Sequence, residues 1–279
     1  MSNDFFISID WGTSNFRLRL AEKSSLQIKE EIINATGVKT LYSKWQQQSG
    51  NRELIFLNFL KQQIAQLQTV IPSDIEIVIS GMASSGIGIR ELPYDTLPFQ
   101  VNGKDLYVEH ISHSLFPQGI KLISGVRSDS DVMRGEEVQI IGLADEDDVE
   151  GITVFILPGT HSKHLFCKDE KIIHFNTFMT GEMFEVISSH SILKNSIEKS
   201  DPDPINLKAF DEGVQRSKAG LSILNDLFKI RAADLLCSKP AKENYYYLSG
   251  MLIGEELAAL QSQSFDQIRL CAGNNLHKL

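Results

Sequence analysis

Cysteine is scarce, with three residues, Cys167, Cys237 and Cys271, in a chain of 279. Odd in number and far apart, they supply neither a disulfide framework nor metal-ligand spacing, and they suit a reducing, cytoplasmic setting. No apolar run approaches the roughly 20 residues of a membrane span. The first residues lack the basic and apolar regions of a signal peptide, and the chain enters a strand almost at once. Basic side chains are the minority, 27 Lys and Arg against 36 Asp and Glu, for a net charge of −9. That balance argues against a nucleic-acid surface, which needs clustered cations to replace counterions. It leaves room for a nucleotide, for which a few local cations suffice. His110 and His113 lack convergent carboxylates, which argues against a metal site there. What remains, 42% hydrophobic and 23% charged residues, is ordinary for a globular protein long enough for two cores.

The stretch Phe5 to Leu20 organises the chain. An apolar run ends at Asp10, a turn of Gly and hydroxyl residues follows, and Phe16, Leu18 and Leu20 then alternate with Arg17 and Arg19, the pattern of a β-hairpin. Gly12 lets the backbone approach a ligand, and Thr13, Ser14 and Asn15 offer donors to phosphate oxygens. Asp10, ending a buried strand, is placed to hold Mg²⁺ through water, since that ion takes one or two carboxylates and keeps most of its hydration. A plain hairpin with a solvated Asp accounts for the tip alone just as well. A second turn of the same kind, Pro158-Gly159-Thr160-His161-Ser162-Lys163, follows the strand from Ile152 to Leu157. His161 lies inside it and can donate to a phosphate oxygen, and Lys163 stands beside it.

Between the turns, Leu26 to Ile33 reads as a third antiparallel strand. The spacing of Leu54, Leu57, Leu60, Ile64 and Leu67 predicts a helix over Arg52–Val70. Ile75 to Ile79 is a short strand after a crossover, hence parallel to its neighbour. The small-residue stretch Ser80 to Arg90 is no dinucleotide fingerprint, because Glu91 stands where a third Gly belongs, and Ser84 and Ser85 do not centre a Gly-x-Ser-x-Gly elbow. A substrate loop at a strand's carboxyl end fits it better, with an unliganded turn as the alternative. Lys121 to Val126 is another expected strand, and Met133 to Leu143 an expected helix. The helix carries two carboxylates, Glu136 and Glu137, in its first turn. They either complement the helix dipole, or one of them, or Asp131 just before, faces a hydroxyl to be phosphorylated. Asp145 to Asp148 reads as a solvated connector, and the stretch to Glu150 as a hinge. Lys171 to Phe175 completes a second meander, and a helix starts at Gly181. Leu207, Phe210, Val214, Leu221, Leu224 and Leu227 trace one long helical stripe, Leu248, Leu252, Leu257 and Leu260 another. Ile268 to Ala272 is the last strand.

Asp10-Trp-Gly-Thr-Ser-Asn-Phe-Arg17 resembles the first phosphate motif of the actin, Hsp70 and sugar-kinase superfamily, and Pro158 to Lys163 its second. With Asp131-Val-Met-Arg-Gly-Glu-Glu-Val-Gln139 and Phe178-Met-Thr-Gly-Glu182, the chain from Phe5 onward resembles the 2-dehydro-3-deoxygalactonokinase family. The resemblance implies an α/β protein of two ribonuclease H-like domains. Each would be a mixed five-stranded sheet with flanking helices, with the nucleotide in the cleft between them. Residues 1–146 would bind the sugar acid and phosphate, and 147–279 the nucleotide. It implies ATP and Mg²⁺, with Asp10 as metal anchor and Gly12, Thr13, Ser14, Asn15, Arg17, Gly159, Thr160, His161 and Lys163 around the phosphates. Ala272, Gly273 and Asn274 would border the adenosine, followed by a further helix where this chain stops at Leu279. Ser84, Ser85, Arg90 and Arg134 become contacts for the sugar acid. Related carbohydrate kinases carry Gly-Asp where Gly135-Glu136 stands, which favours Glu136 as general base, with Glu137 one residue away and Asp131 in reserve. The reaction implied is phosphorylation of 2-dehydro-3-deoxy-D-galactonate at its 6-hydroxyl, in galactonate or galactose catabolism. The alternatives are a kinase for another sugar or sugar acid and a non-catalytic nucleotide-binding sugar sensor. A homodimer is compatible with this reading.

Overall fold

Strict alternation decides the first strands. In β1 (Phe5–Trp11) the side chains of Ile7, Ile9 and Trp11 are fully buried, and in β2 (Phe16–Glu22) so are Phe16, Leu18 and Leu20. The two-residue period turns Asp10, Arg17 and Arg19 to the opposite face. β3 (Ile28–Asn34) completes the antiparallel meander. The computed structural model describes residues 4–48, 50–143, 151–218 and 222–272. The chain divides into two units, Met1–Asp147 with Glu170–Ile173, and Asp148–Asp169 with His174–Leu279. The expected boundary at 146/147 and the connector from Asp145 to Glu150 lie outside the described residues.

In the first unit, α1 (Val38–Gln48) and α2 (Arg52–Ile64) lead to β4 (Glu76–Gly81), which lies parallel to β1 with Asp10 opposite Ser80. α1 is not evident in the sequence, because its buried residues are only Val38 and Leu41. Asn51 caps α2 by accepting from the Leu54 amide. The helix ends six residues before Val70, because the Glu30 carboxylate takes the amides of Gln68 and Thr69 at 2.8 and 2.7 Å and holds that stretch out of helical geometry. Leu67 still packs on the core, from non-helical chain.

Then come β5 (Asp95–Thr96), β6 (Phe99–Gln100), β7 (Val108–His113), β8 (Phe116–Ile123), β9 (Val126–Arg127), β10 (Val132–Met133) and α3 (Glu136–Leu143). The main sheet runs β3-β2-β1-β4-β8-β7, six strands rather than five, because the β7–β8 hairpin adds a strand that contains His110 and His113. The strand expected at Lys121 to Val126 is the end of β8 and the start of β9. A small sheet joins β10, β9 and β5. Pairing of Val132 and Met133 with Arg127 and Val126 keeps those residues extended, so α3 starts at Glu136 and not at Met133.

The second unit opens with β11 (Thr153–Leu157), all five residues buried, and β12 (Ser162–Lys168), then β13 (Lys171–Phe178). Helices α4 (Thr180–His190), α5 (Pro204–Lys218), α6 (Ile223–Cys237) and α7 (Ala241–Ala258) precede β14 (Gln267–Leu270), which returns parallel to β11. The order is β14-β11-β12-β13. A fifth strand, β6, pairs with Lys171 and Ile172, the end of β13 that groups with the first unit. The stripe from Leu207 to Leu227 is two helices, not one. Asn206, Ala209, Gly213 and Ser217 are the buried face of α5, while Leu224 on α6 is 78% exposed. Small residues prevail there because α5 and α7 lie so close that a Cβ on Gly213 would stand 2.3 Å from the Tyr247 carbonyl.

Candidate active site

The first turn is braced from behind. Gly12 N–H donates to the Asn15 carbonyl at 2.9 Å, and the carbonyls of Gly12, Thr13 and Ser14 accept from Val38, Lys39 and Gly37 at 3.0, 3.2 and 3.1 Å. The first amides of a helix have no partners within it, so α1 is bound to the turn through its own leading edge. A Cβ on Gly37 would stand 2.2 Å from the Thr13 oxygen, so no other residue permits this approach. The side chains of Thr13, Ser14 and Asn15 are left exposed.

Asp10 sits at the edge of this turn with its carboxylate 4.0 Å from Arg17. Arg17 also lies 3.8 Å from Glu31, whose carboxylate pairs with Arg19 at 2.7 Å. The Asp10 carboxyl is raised above the usual range, chiefly by desolvation. Arg17 and Arg19 oppose the rise, and the charge of Glu136 adds to it. Asp10 and Glu136 therefore feel one another although far apart in sequence.

What brings Glu136 there is a junction of two glycines. Gly81 ends β4 at φ +83°, Gly135 precedes α3 at φ +113°, and a Cβ on Gly135 would stand 3.3 Å from the Gly81 Cα. The positive φ at both positions favours Gly. Glu136 is half-buried, its carboxylate accepting from the Arg134 amide at 3.1 Å. Glu137 is fully buried, with both oxygens 2.8 Å from the Gly135 amide, and burial pushes its carboxyl up to about 8. Asp131 is tied to its own loop, where it accepts from the Val132 amide at 2.7 Å and Ser128 Oγ accepts from the Asp131 amide at 2.9 Å.

The four expected substrate contacts part company. Arg134, 9% exposed, donates to Ser84 Oγ at 2.6 Å and to the Leu92 carbonyl at 3.3 Å, with its guanidinium 4.1 Å above the Tyr94 ring. Its Nε is buried with no hydrogen-bond partner among the described residues. Ser85 closes a turn on the Met82 carbonyl at 2.7 Å. Arg90 is divided between Glu53 at 3.0 Å and Glu109 at 2.9 Å, so its guanidinium is occupied.

In the second unit, the turn after β11 is backed by the start of α4. A Cβ on Gly181 would stand 2.4 Å from the Gly159 carbonyl, and the Glu182 amide donates to the Thr160 carbonyl at 3.0 Å. Gly159, Thr160 and His161 are exposed, while Lys163 is buried and donates to the His161 carbonyl at 3.0 Å. His161 Nε2 lies 2.5 Å from the Glu182 carboxylate. Beneath the turn lies a group that the sequence reading misses: Glu256 of α7, with Ser162 Oγ at 2.6 Å, His164 Nε2 at 2.9 Å and the Thr180 hydroxyl on its carboxylate. Burial alone would raise the Glu256 carboxyl, but these hydrogen bonds together hold it below the usual range. Ala272 follows β14, half-buried, and Gly273 and Asn274 lie outside the described residues.

Among the described residues no helix is long and apolar enough to cross a membrane, and no three His, Cys, Asp or Glu side chains converge as a metal cluster. The chain is thus a mixed α/β protein with two glycine-backed turns, each following a strand of a mixed sheet. It belongs to the 2-keto-3-deoxy-galactonokinase family, whose model matches residues 10–279, and by that membership it is a kinase. The "Probable 2-dehydro-3-deoxygalactonokinase DgoK1" of Rhizobium meliloti (strain 1021) is 30% identical over 285 residues, covering 99% of this chain and 87% of that protein. The 2-dehydro-3-deoxygalactonokinase of Escherichia coli (strain K12) is 29% identical over 279 residues, covering 97% and 86%. A crystal structure of "a putative 2-dehydro-3-deoxygalactonokinase protein from Sinorhizobium meliloti" shares the fold at a TM-score of 0.81 and 29% identity, over 97% of this chain and 85% of that one.

Proposed function

We propose that this chain transfers the γ-phosphoryl group of ATP to the 6-hydroxyl of 2-keto-3-deoxygalactonate. Family membership over residues 10–279 supports the reaction. The observation that carries the site is the seating of α3 on β4, which brings Glu136 within electrostatic range of Asp10. Phosphoryl transfer asks the protein mainly for positioning and charge stabilisation. The turns at Gly12–Asn15 and Gly159–His161 present backbone and hydroxyl donors to the phosphates. Glu136 accepts the proton of the attacking hydroxyl, while Glu137, buried on the Gly135 amide, holds the helix start. Arg134, whose buried Nε has no partner among the described residues, reaches the carboxylate of the sugar acid, with Ser84 and Tyr94 fixing the plane of the guanidinium.

The donor set at Asp10 fits Mg²⁺, since one half-exposed carboxylate with a second in electrostatic range suits an ion that keeps most of its waters. Bound there, the metal would neutralise charge on the phosphates. The finer architecture, two ribonuclease H-like domains with the nucleotide between them, is part of the same proposal. ADP release measured across a panel of sugar acids tests the reading. Turnover should be strongest with 2-keto-3-deoxygalactonate, and equal or better turnover with a neutral sugar would overturn it.

A further inference from the structure

The buried group around Glu256 has no part in the proposed reaction, yet it touches two of the elements that shape the second turn, β12 and α4. Ser162 and His164 are alternate residues at the start of β12, so both point to one face, and there they meet the Glu256 carboxylate at 2.6 and 2.9 Å. Thr180, the first residue of α4, donates to its other oxygen. The next residue, Gly181, lies against the Gly159 carbonyl, and Glu182 N–H holds the Thr160 carbonyl. One carboxylate, 6% exposed, thus joins the strand that leaves the turn, the helix packed on it and α7 behind. Burying a charge in this way is costly unless hydrogen bonds satisfy it, and here three donors do so. His164 is itself fully buried, with its ring 4.5 Å from that of Phe178, so it cannot swing away.

We propose that Glu256 is a positioning residue for nucleotide binding: by fixing Ser162, His164 and Thr180 it sets the backbone of Gly159–His161 in the shape that receives the phosphates of ATP. This rests on reading that turn as a phosphate site. Each charge-assisted hydrogen bond is strong enough that loss of one or two shifts a binding constant about 10- to 100-fold.

The test is steady-state kinetics on the full chain. Glu256→Gln should raise KM for ATP about 10- to 100-fold and leave KM for the sugar acid within about twofold. Thr180→Val, nearly isosteric, should raise KM for ATP about 5- to 20-fold alongside a modest drop in melting temperature, and Thr180→Ser should keep both near wild type. Should Glu256→Gln fail to fold, the Thr180 pair decides. A purely structural role predicts a lower melting temperature and less active enzyme with KM for ATP unmoved, and that result overturns the proposal alone. A wild-type chain whose rate does not saturate with ATP would overturn both the proposal and the phosphate-turn reading beneath it.

Discussion

Glu137→Gln separates two neighbouring carboxylates by stability as well as by activity. Burial raises the Glu137 carboxyl from an ordinary 4.5 to about 8 in the folded chain. Between those values the folded chain holds a proton that the unfolded chain has released, so stability falls as pH rises. The contribution is fully present below about 4.5 and lost by the time pH has risen through about 8. At about 1.36 kcal/mol per pH unit, that interval corresponds to on the order of 5 kcal/mol. Glutamine keeps a carbonyl oxygen for the Gly135 amide and cannot ionise, so the variant should show no such decline. Both tryptophans, Trp11 and Trp45, lie in the first unit, and urea unfolding followed by their fluorescence reports that unit. Wild type should lose several kcal/mol relative to Glu137→Gln between pH 5 and 9, on the order set by the shift, and the variant should be the more stable at the alkaline end. Its kcat at neutral pH should stay within about threefold of wild type. Parallel stability profiles would refute the burial argument, and a collapsed kcat would move the general base from Glu136 to Glu137.

Two further substitutions test the rest of the first unit. Asp10→Asn should keep the fold and lower Mg²⁺-dependent turnover by about three orders of magnitude, since the proposed metal anchor is lost; near-normal kcat would remove the first turn from the site. Arg134→Lys keeps the charge but loses the planar fork that reaches Ser84 and Leu92 over Tyr94. It should raise KM for the sugar acid about 10- to 100-fold with KM for ATP unmoved, and equal effects on both would show the arginine to be structural only.

Local pattern made much of this molecule legible. The alternation in Phe5–Leu20 foretells β1 and β2, and the two Gly-hydroxyl turns stand where they were expected. Long-range contacts account for what was not. No local signal ends α2 early, because Glu30 lies 38 residues from Gln68. Glu136 and Glu137 are equivalent in a sequence, and only the seating of α3 on Gly81 buries one and leaves the other within electrostatic range of Asp10. Arg90 looks free for a substrate until Glu53 and Glu109 are found on it. Glu256 is 94 residues from Ser162 and sits in an apolar helical pattern, so nothing nearby marks it as the partner of a turn. A charged residue on the buried stripe of a helix is the one signal available.

The assignment of Glu136 is tested most directly by the kinetics of Glu136→Gln beside Asp131→Asn, with ATP and 2-keto-3-deoxygalactonate as substrates. Loss of the general base should lower kcat of Glu136→Gln by about 100-fold or more with little change in KM for ATP, whereas Asp131→Asn should stay near wild type. Two similarly mild variants, or a large loss at Asp131 alone, would contradict the site drawn from the junction of β4 and α3.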